Sequence, residues 1–115
     1  MELIADTLPE GIVRARLNGR LDTVGVDQVE TRFNAAVTAA DRDAIVDLSG
    51  VSFVSSMGVR LLITAARAQR SRSRRIVLYG ATPLVASTLA TVALEQIVPI
   101  VSDEAAALRS LAGAG

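Results

Sequence analysis

Two adjacent hydroxyls, Ser55 and Ser56, followed by Met57 and Gly58, stand where a buried-strand pattern gives way to a helical one. Upstream, Ala44-Ile45-Val46-Asp47-Leu48 is a short, nearly continuous apolar run, as expected of a strand covered on both faces. Downstream, Val59, Leu62, Ile63 and Ala66 recur at helical spacing, with Arg60, Thr64, Arg67 and Ser71 opposite them. The serine pair therefore falls at a helix start, with Ser55 or Ser56 as the natural N-cap. Two chemistries suit a hydroxyl there. As a cap it satisfies an orphan backbone N–H, worth roughly 1 kcal/mol. As a phosphoacceptor it would hold a group of about −1.5 to −2 charge at a helix end rich in free N–H donors, changing the surface while leaving the fold intact.

Composition narrows the chemistry further. The chain has no His, no Cys and no Lys, and all twelve basic residues are Arg. Thiol nucleophiles, disulfides, Cys/His zinc sites, Schiff-base lysines and the usual His general base are thereby excluded. Ser56 has no His or Lys to activate it, which argues against a serine hydrolase and for a protein that is not an enzyme. No Gly-x-x-x-x-Gly-Lys or Gly-x-Gly-x-x-Gly run occurs, and the scattered carboxylates suggest neither a metal site nor a cofactor. Twelve acidic residues balance the twelve arginines, which speaks against a general binder of nucleic acid or acidic membrane.

The positioning elements alternate along the 115 residues without a linker, as in one small domain spanning 1–115. Leu3-Ile4-Ala5 reads as a first strand, Pro9-Glu10-Gly11 as a turn, and Val13, Ala15 and Leu17 as the inward side of a second strand forming an edge hairpin with the first. Asp22 or Thr23 caps a helix to about Ala40, with Val26, Val29, Phe33, Ala36, Val37 and Ala40 as its apolar stripe. Five arginines between Arg67 and Arg75 close the serine-led helix, where cations complement the helix dipole. No aromatic residue is interleaved with them for base stacking.

Residues 76–94 carry no charge, yet their punctuation is that of a strand and a short helix, not a membrane span. Ile76–Tyr79 is strand-like, and Thr82-Pro83 is an N-cap with proline at the first helical position. Val85, Leu89 and Val92 are the expected buried row of that helix. Ile97–Val101 is a last strand that Pro99 restricts to an edge. Ser102-Asp103-Glu104-Ala105 opens a closing helix with a near capping box, and Gly113-Ala114-Gly115 is expected to fray. No signal peptide is visible, so a cytoplasmic protein is expected. The order β-β-α-β-α-β-α-β-α implies an α/β domain whose mixed, mostly parallel sheet of about five strands packs against about four helices.

The segment from Asp47 to Gly58 resembles the signature of the STAS domain, the family of bacterial anti-sigma factor antagonists. Members carry a strand ending in Asp-Leu-Ser, a hydrophobic pair, then Asp-Ser-Ser-Gly or Asp-Ser-Thr-Gly opening a helix; the matching quartet is Ser55-Ser56-Met57-Gly58. Gly19-Arg20-Leu21-Asp22 is similar to the family's Gly-x-Leu-Asp turn. Ser55 stands where many members have Asp, and Met57 where they have Ser or Thr. The resemblance implies a STAS-like fold and makes Ser56 the phosphoacceptor, with Ser55 the fallback. It implies a partner surface of Asp22, Ser55, Ser56, Met57, Gly58, Arg60 and Thr64. Its partners would be an anti-sigma factor serine kinase and a serine phosphatase, with no nucleic acid and no membrane insertion. In that reading the unmodified chain binds the kinase and frees a sigma factor, and phosphorylation abolishes binding. The alternative is a constitutive STAS-type subunit of a transport or signalling assembly, with Ser56 acting only as a cap. Asp22 is either part of the site or a helix cap.

Overall fold

In the computed structural model, which describes residues 1–113, the chain opens as a hairpin. Strand β1 (Glu2–Thr7) pairs antiparallel with β2 (Val13–Leu21), Leu3 lying opposite Leu17 and Thr7 opposite Val13. From β2 onward every pairing is parallel: with β3 (Ala44–Val54), then β4 (Ile76–Tyr79), then β5 (Ile100–Val101). The sheet order is β1-β2-β3-β4-β5. This is the mixed sheet with a parallel centre and an edge hairpin that the element order implied.

Four helices link and close these strands: α1 (Thr23–Asn34), α2 (Ser56–Ser71), α3 (Pro83–Thr91) and α4 (Glu104–Ala112). Alternation along β3 divides them between two layers, because successive side chains of a strand point to opposite faces. Ala44, Val46 and Leu48 join one large core with Val29 and Phe33 of α1, Leu62 and Ala65 of α2, and Val85 and Leu89 of α3. Ile45 points the other way, into a smaller cluster with Val77, Tyr79 and Ala107 of α4. A polar clamp adds to that second layer. Arg14 pairs with Asp6 at 2.6 Å and with Glu104 at 3.0 Å, and the Tyr79 hydroxyl donates to the same Glu104 oxygen at 3.0 Å.

Several local expectations are corrected. Strand β3 continues past the Ala44–Leu48 run to Val54, so that only Ser55 separates it from the helix begun by Ser56. Two register shifts against β2 make the extension possible, and a Cβ on Gly50 would collide with the Asn18 side chain. Past Asn34 the first helix widens into a π-helical stretch, Ala35–Ala39. This retains Val37 in the core but leaves Ala40 exposed. Helix α2 stops at Ser71, ahead of the last three arginines, with Ser73 in the left-handed region at φ 57°.

Val92, expected in the buried row of α3, is 47% exposed. The helix ends one residue earlier, and Ala93 turns left-handed at φ 54°. Leu94, at the start of a 3-10 turn (Leu94–Gln96), fills the core in place of Val92. The last strand keeps only Ile100–Val101 of the expected 97–101, on the sheet edge where a proline is tolerated. The Pro99 carbonyl still accepts from Leu78 N–H at 3.0 Å. Residues 76–94 are β4 and α3 as expected, and no helix among the described residues is long and apolar enough to cross a membrane. Of the segment expected to fray, Gly113 follows the end of α4, whereas Ala114 and Gly115 lie outside the described residues.

Candidate functional site

The site begins with two parallel strands that end at one level. Leu21 of β2 and Val54 of β3 are paired, and each strand passes within one residue into a helix. The N-termini of α1 and α2 therefore open side by side at one edge of the sheet. The residue between strand and helix is the cap in each case. Asp22 caps α1, its Oδ1 accepting from Gly25 N–H at 2.9 Å. Ser55 caps α2, its Oγ accepting from Gly58 N–H at 3.4 Å.

The two serines thus separate by role. Ser55 is half-buried, and its hydroxyl also donates to the Leu21 carbonyl at 3.3 Å, while its backbone N–H donates to the same carbonyl at 3.0 Å. Ser56 is the first residue of α2 and is exposed. Beside it Met57 is 37% exposed, and Arg60, one turn on, and Thr64, two turns on, are also exposed. Gly58 differs from its neighbours in being buried. A side chain there would strike the Leu21 carbonyl and approach the Leu21 Cγ to 2.8 Å. Its absence lets α2 seat on the end of β2. Gly58 thus shapes the site from beneath and offers it no accessible surface.

Electrostatics at this edge are set by few groups. The first turn of α2 contains no acidic residue. The Gly25 N–H, aided by the Arg20 guanidinium 3.3 Å away, holds the Asp22 carboxyl below the usual carboxylate range. Arg20 also lies 4.4 Å from the centroid of the Phe53 ring, a cation–π contact between strand neighbours. Phe53, Ser55, Ser56, Val59, Thr88 and Val92 line a shallow hollow between the start of α2 and the end of α3. An exposed hydroxyl therefore sits at a helix start, with an apolar hollow on one side and the Arg20–Asp22 pair nearby. That arrangement can accept a phosphoryl group or seat a partner's apolar side chain. Among the described residues no group of His, Cys, Asp or Glu is spaced to hold a metal ion.

Asp22, Ser55, Ser56, Met57 and Gly58 are brought to one edge, while Arg60 and Thr64 extend from it down α2. Sequence reasoning missed Arg20 as Asp22's partner, Phe53 as its platform, and Val92 and Thr88 as lining of the hollow. The Arg20–Phe53 contact depends on a bulged pairing of two strands, which no local pattern reveals. The exposure of Val92 depends on the left-handed Ala93, a conformation for which alanine gives no signal.

Comparison with known proteins agrees with this geometry. The family model described as "Mlab, STAS domain" matches residues 7–101. A Bordetella bronchiseptica protein named "Putative anti-sigma factor antagonist BtrV" is 26% identical over 107 residues, covering 93% of this chain and 91% of the relative. The anti-sigma-factor antagonist (STAS) domain protein of Planctomyces limnophilus superposes with a TM-score of 0.84 at 20% identity, covering 96% of this chain and 97% of that one. The anti-sigma factor antagonist SpoIIAA in its unphosphorylated form gives 0.77 at 23% identity, over 97% of both chains. Phosphorylated Bacillus SpoIIAA gives 0.66 at 24%, over 94% of this chain and 98% of its own. With a family match over residues 7–101 and a fold shared with these structures, the chain belongs to the STAS domain family.

Proposed function

We propose that this protein is an anti-sigma factor antagonist in a partner-switching pathway. Unmodified, it binds a serine-kinase anti-sigma factor and so releases a sigma factor; phosphorylated on Ser56 by that kinase, it no longer binds. The observation that carries this reading is the division of labour at the start of α2, where Ser55 takes the cap and Ser56 is left exposed. The names of BtrV and SpoIIAA, and the existence of SpoIIAA in both phosphorylation states, support it. ATP belongs to the kinase, so this chain is a substrate and not an enzyme.

The physical basis of the switch is local. A phosphoryl group on Ser56 adds about −1.5 to −2 charge at the mouth of an apolar hollow. A partner covering that hollow would have to desolvate the dianion. The helix itself tolerates the charge, because an N-terminus favours anions. Ser55 is the weaker acceptor, since phosphorylation there would break the cap and the bond to Leu21.

The test is intact-mass analysis after incubation with the cognate kinase and ATP, followed by binding measurements. One added phosphate is expected, absent in Ser56→Ala, together with loss of the kinase complex. No added phosphate, or addition with unchanged affinity, would remove the switch and leave a constitutive interaction subunit.

A further inference from the structure

The zero net charge of this chain conceals a segregation. Residues 48–94 contain six arginines and neither Asp nor Glu. All six lie on α2 or in the turn that follows it. Arg74 is paired with Asp41 at 3.1 Å, and Arg75 donates to the Leu111 carbonyl at 3.4 Å. The other four, Arg60, Arg67, Arg70 and Arg72, are exposed. Among the described residues none of these four has a carboxylate within salt-bridge distance. They form a positive ridge in which Arg72 is near enough to Asp41 to help hold that carboxyl below its ordinary range.

Beside the ridge runs a shallow groove between α2 and the π-helical stretch that follows α1. Ala35, Thr38 and Ala39 line one side, and Thr64, Ala68 and Arg72 the other. The Thr38 hydroxyl at its edge has no hydrogen-bond partner among the described residues. Side chains this small allow a second helix axis to approach closely. The two carboxylates of α1, Asp27 and Glu30, lie nearer its N-terminus and outside the groove.

We infer that this groove and ridge form a docking surface for an acidic amphipathic helix of a protein partner. Its small apolar face settles over Ala35, Ala39 and Ala68, and carboxylates on its flanks meet Arg67 and Arg72. Charge complementarity selects the sign of the partner, and the apolar floor selects a helix laid lengthwise. A nucleic acid is a poorer fit because no aromatic side chain lies on this face. Phe33 and Tyr79 are buried, and Phe53 lies at the other end of α2. An anionic bilayer is a poorer fit because Ile4, Val24, Met57, Leu84 and Val92, the large exposed apolar side chains, are absent from the groove lining. Ala68 is about 18 Å along α2 from Ser56, so the surface does not require the phosphorylation switch.

Titration of the 15N-labelled full chain with defined probes tests this surface. The principal probe is a synthetic helical peptide with Ala and Leu on one face and Glu on both flanks; the control replaces every Glu by Gln. The acidic peptide is expected to move the amides of residues 34–39 and 64–72, and to weaken about tenfold between about 0.05 and about 0.5 M NaCl. Arg67→Glu combined with Arg72→Glu should weaken it by a further factor of about ten, since exposed contacts of this kind are each worth under about tenfold. Arg67→Gln with Arg72→Gln should give an intermediate loss, and an unchanged thermal midpoint in both pairs would show that folding is intact. Equal binding of the Gln peptide, shifts confined to other residues, or tighter binding at these amides by a single-stranded oligonucleotide or phosphatidylglycerol vesicles would overturn the inference. Phosphorylation of Ser56 plays no part in this readout, so the docking surface and the switch can fail separately.

Discussion

The Ser55 hydroxyl donates to the Leu21 carbonyl at 3.3 Å and accepts from Gly58 N–H at 3.4 Å, tying the start of α2 to the end of β2. Among the described residues Ser56, its neighbour, makes no such side-chain bond to the frame. Ser55→Ala is therefore expected to cost about 1 kcal/mol, the usual value of a lost N-cap, and Ser56→Ala less than about 0.5 kcal/mol. Urea unfolding at constant m-value separates the two. An equal loss in both variants would contradict the assignment of the cap.

Gly58 has no room for a methyl group against Leu21. Gly58→Ala should cost about 1–3 kcal/mol, as overpacking does where the obstacle is backbone. It should also shift the amide resonances of residues 54–57, because relief requires α2 to move away from β2. Calorimetry with a proton–nitrogen spectrum checks both effects.

Gln69 is fully buried on α2, its Nε2 donating to the carbonyls of Arg42 at 2.8 Å and Arg75 at 3.1 Å. It thereby links the helix to the chain just before β3 and just before β4. Gln69→Leu fills similar space but takes the Gln69 donor from the Arg42 carbonyl, while the Arg75 carbonyl keeps the Ala44 N–H at 2.9 Å, so a loss of about 1–3 kcal/mol is expected. Denaturant unfolding measures it, and a neutral result would show that water replaces the amide.

Acid should weaken the fold through three carboxyls held below their ordinary range: Asp6 by Arg14, Asp22 by the Gly25 N–H, and Asp41 by Arg74. A carboxyl whose folded value is depressed contributes stability that is present above its unfolded value, about 4, and is lost as pH falls through the folded value. The unfolding midpoint should accordingly fall below about pH 4, and less steeply in Asp22→Asn, which keeps a capping oxygen. Midpoints measured at several pH values test the slope.

Tyr79 is the only tyrosine, in a chain without tryptophan, so its ionisation is directly visible in ultraviolet absorbance. Burial, reinforced by the bond to Glu104, pushes the phenol above its ordinary value. A raised folded value means stability present below the unfolded value, about 10, and lost as pH rises through the folded one. Alkaline titration of the native protein should lag that of the protein in denaturant. Coincident curves would show that the second layer does not seal the ring.

Much of this architecture is legible in local pattern. The cap Thr82 and the proline after it, the narrowing of the first cap to Asp22 or Thr23, the start of α4 within Ser102–Ala105 and the edge position of Pro99 follow from the chemistry of single residues and their immediate neighbours. What escaped reading is non-local. The extension of β3 from Leu48 to Val54 depends on pairing with β2 across two bulges, where Ser49, Gly50 and Ser52 show no strand pattern of their own. The exchange of Val92 for Leu94 in the core depends on a left-handed alanine. Assigning the cap to Ser55, not Ser56, needed the Leu21 carbonyl as a reference point, and that residue lies 34 positions earlier.

The exposed arginines on and just after α2 give this neutral chain a positive side. An evenly mixed surface would tumble into encounters at random. This molecule, within about one screening length of an anionic body, turns its arginine side forward before contact. The ridge thus biases the orientation of an encounter as well as its attraction, so fewer collisions need to be repeated before a productive one occurs.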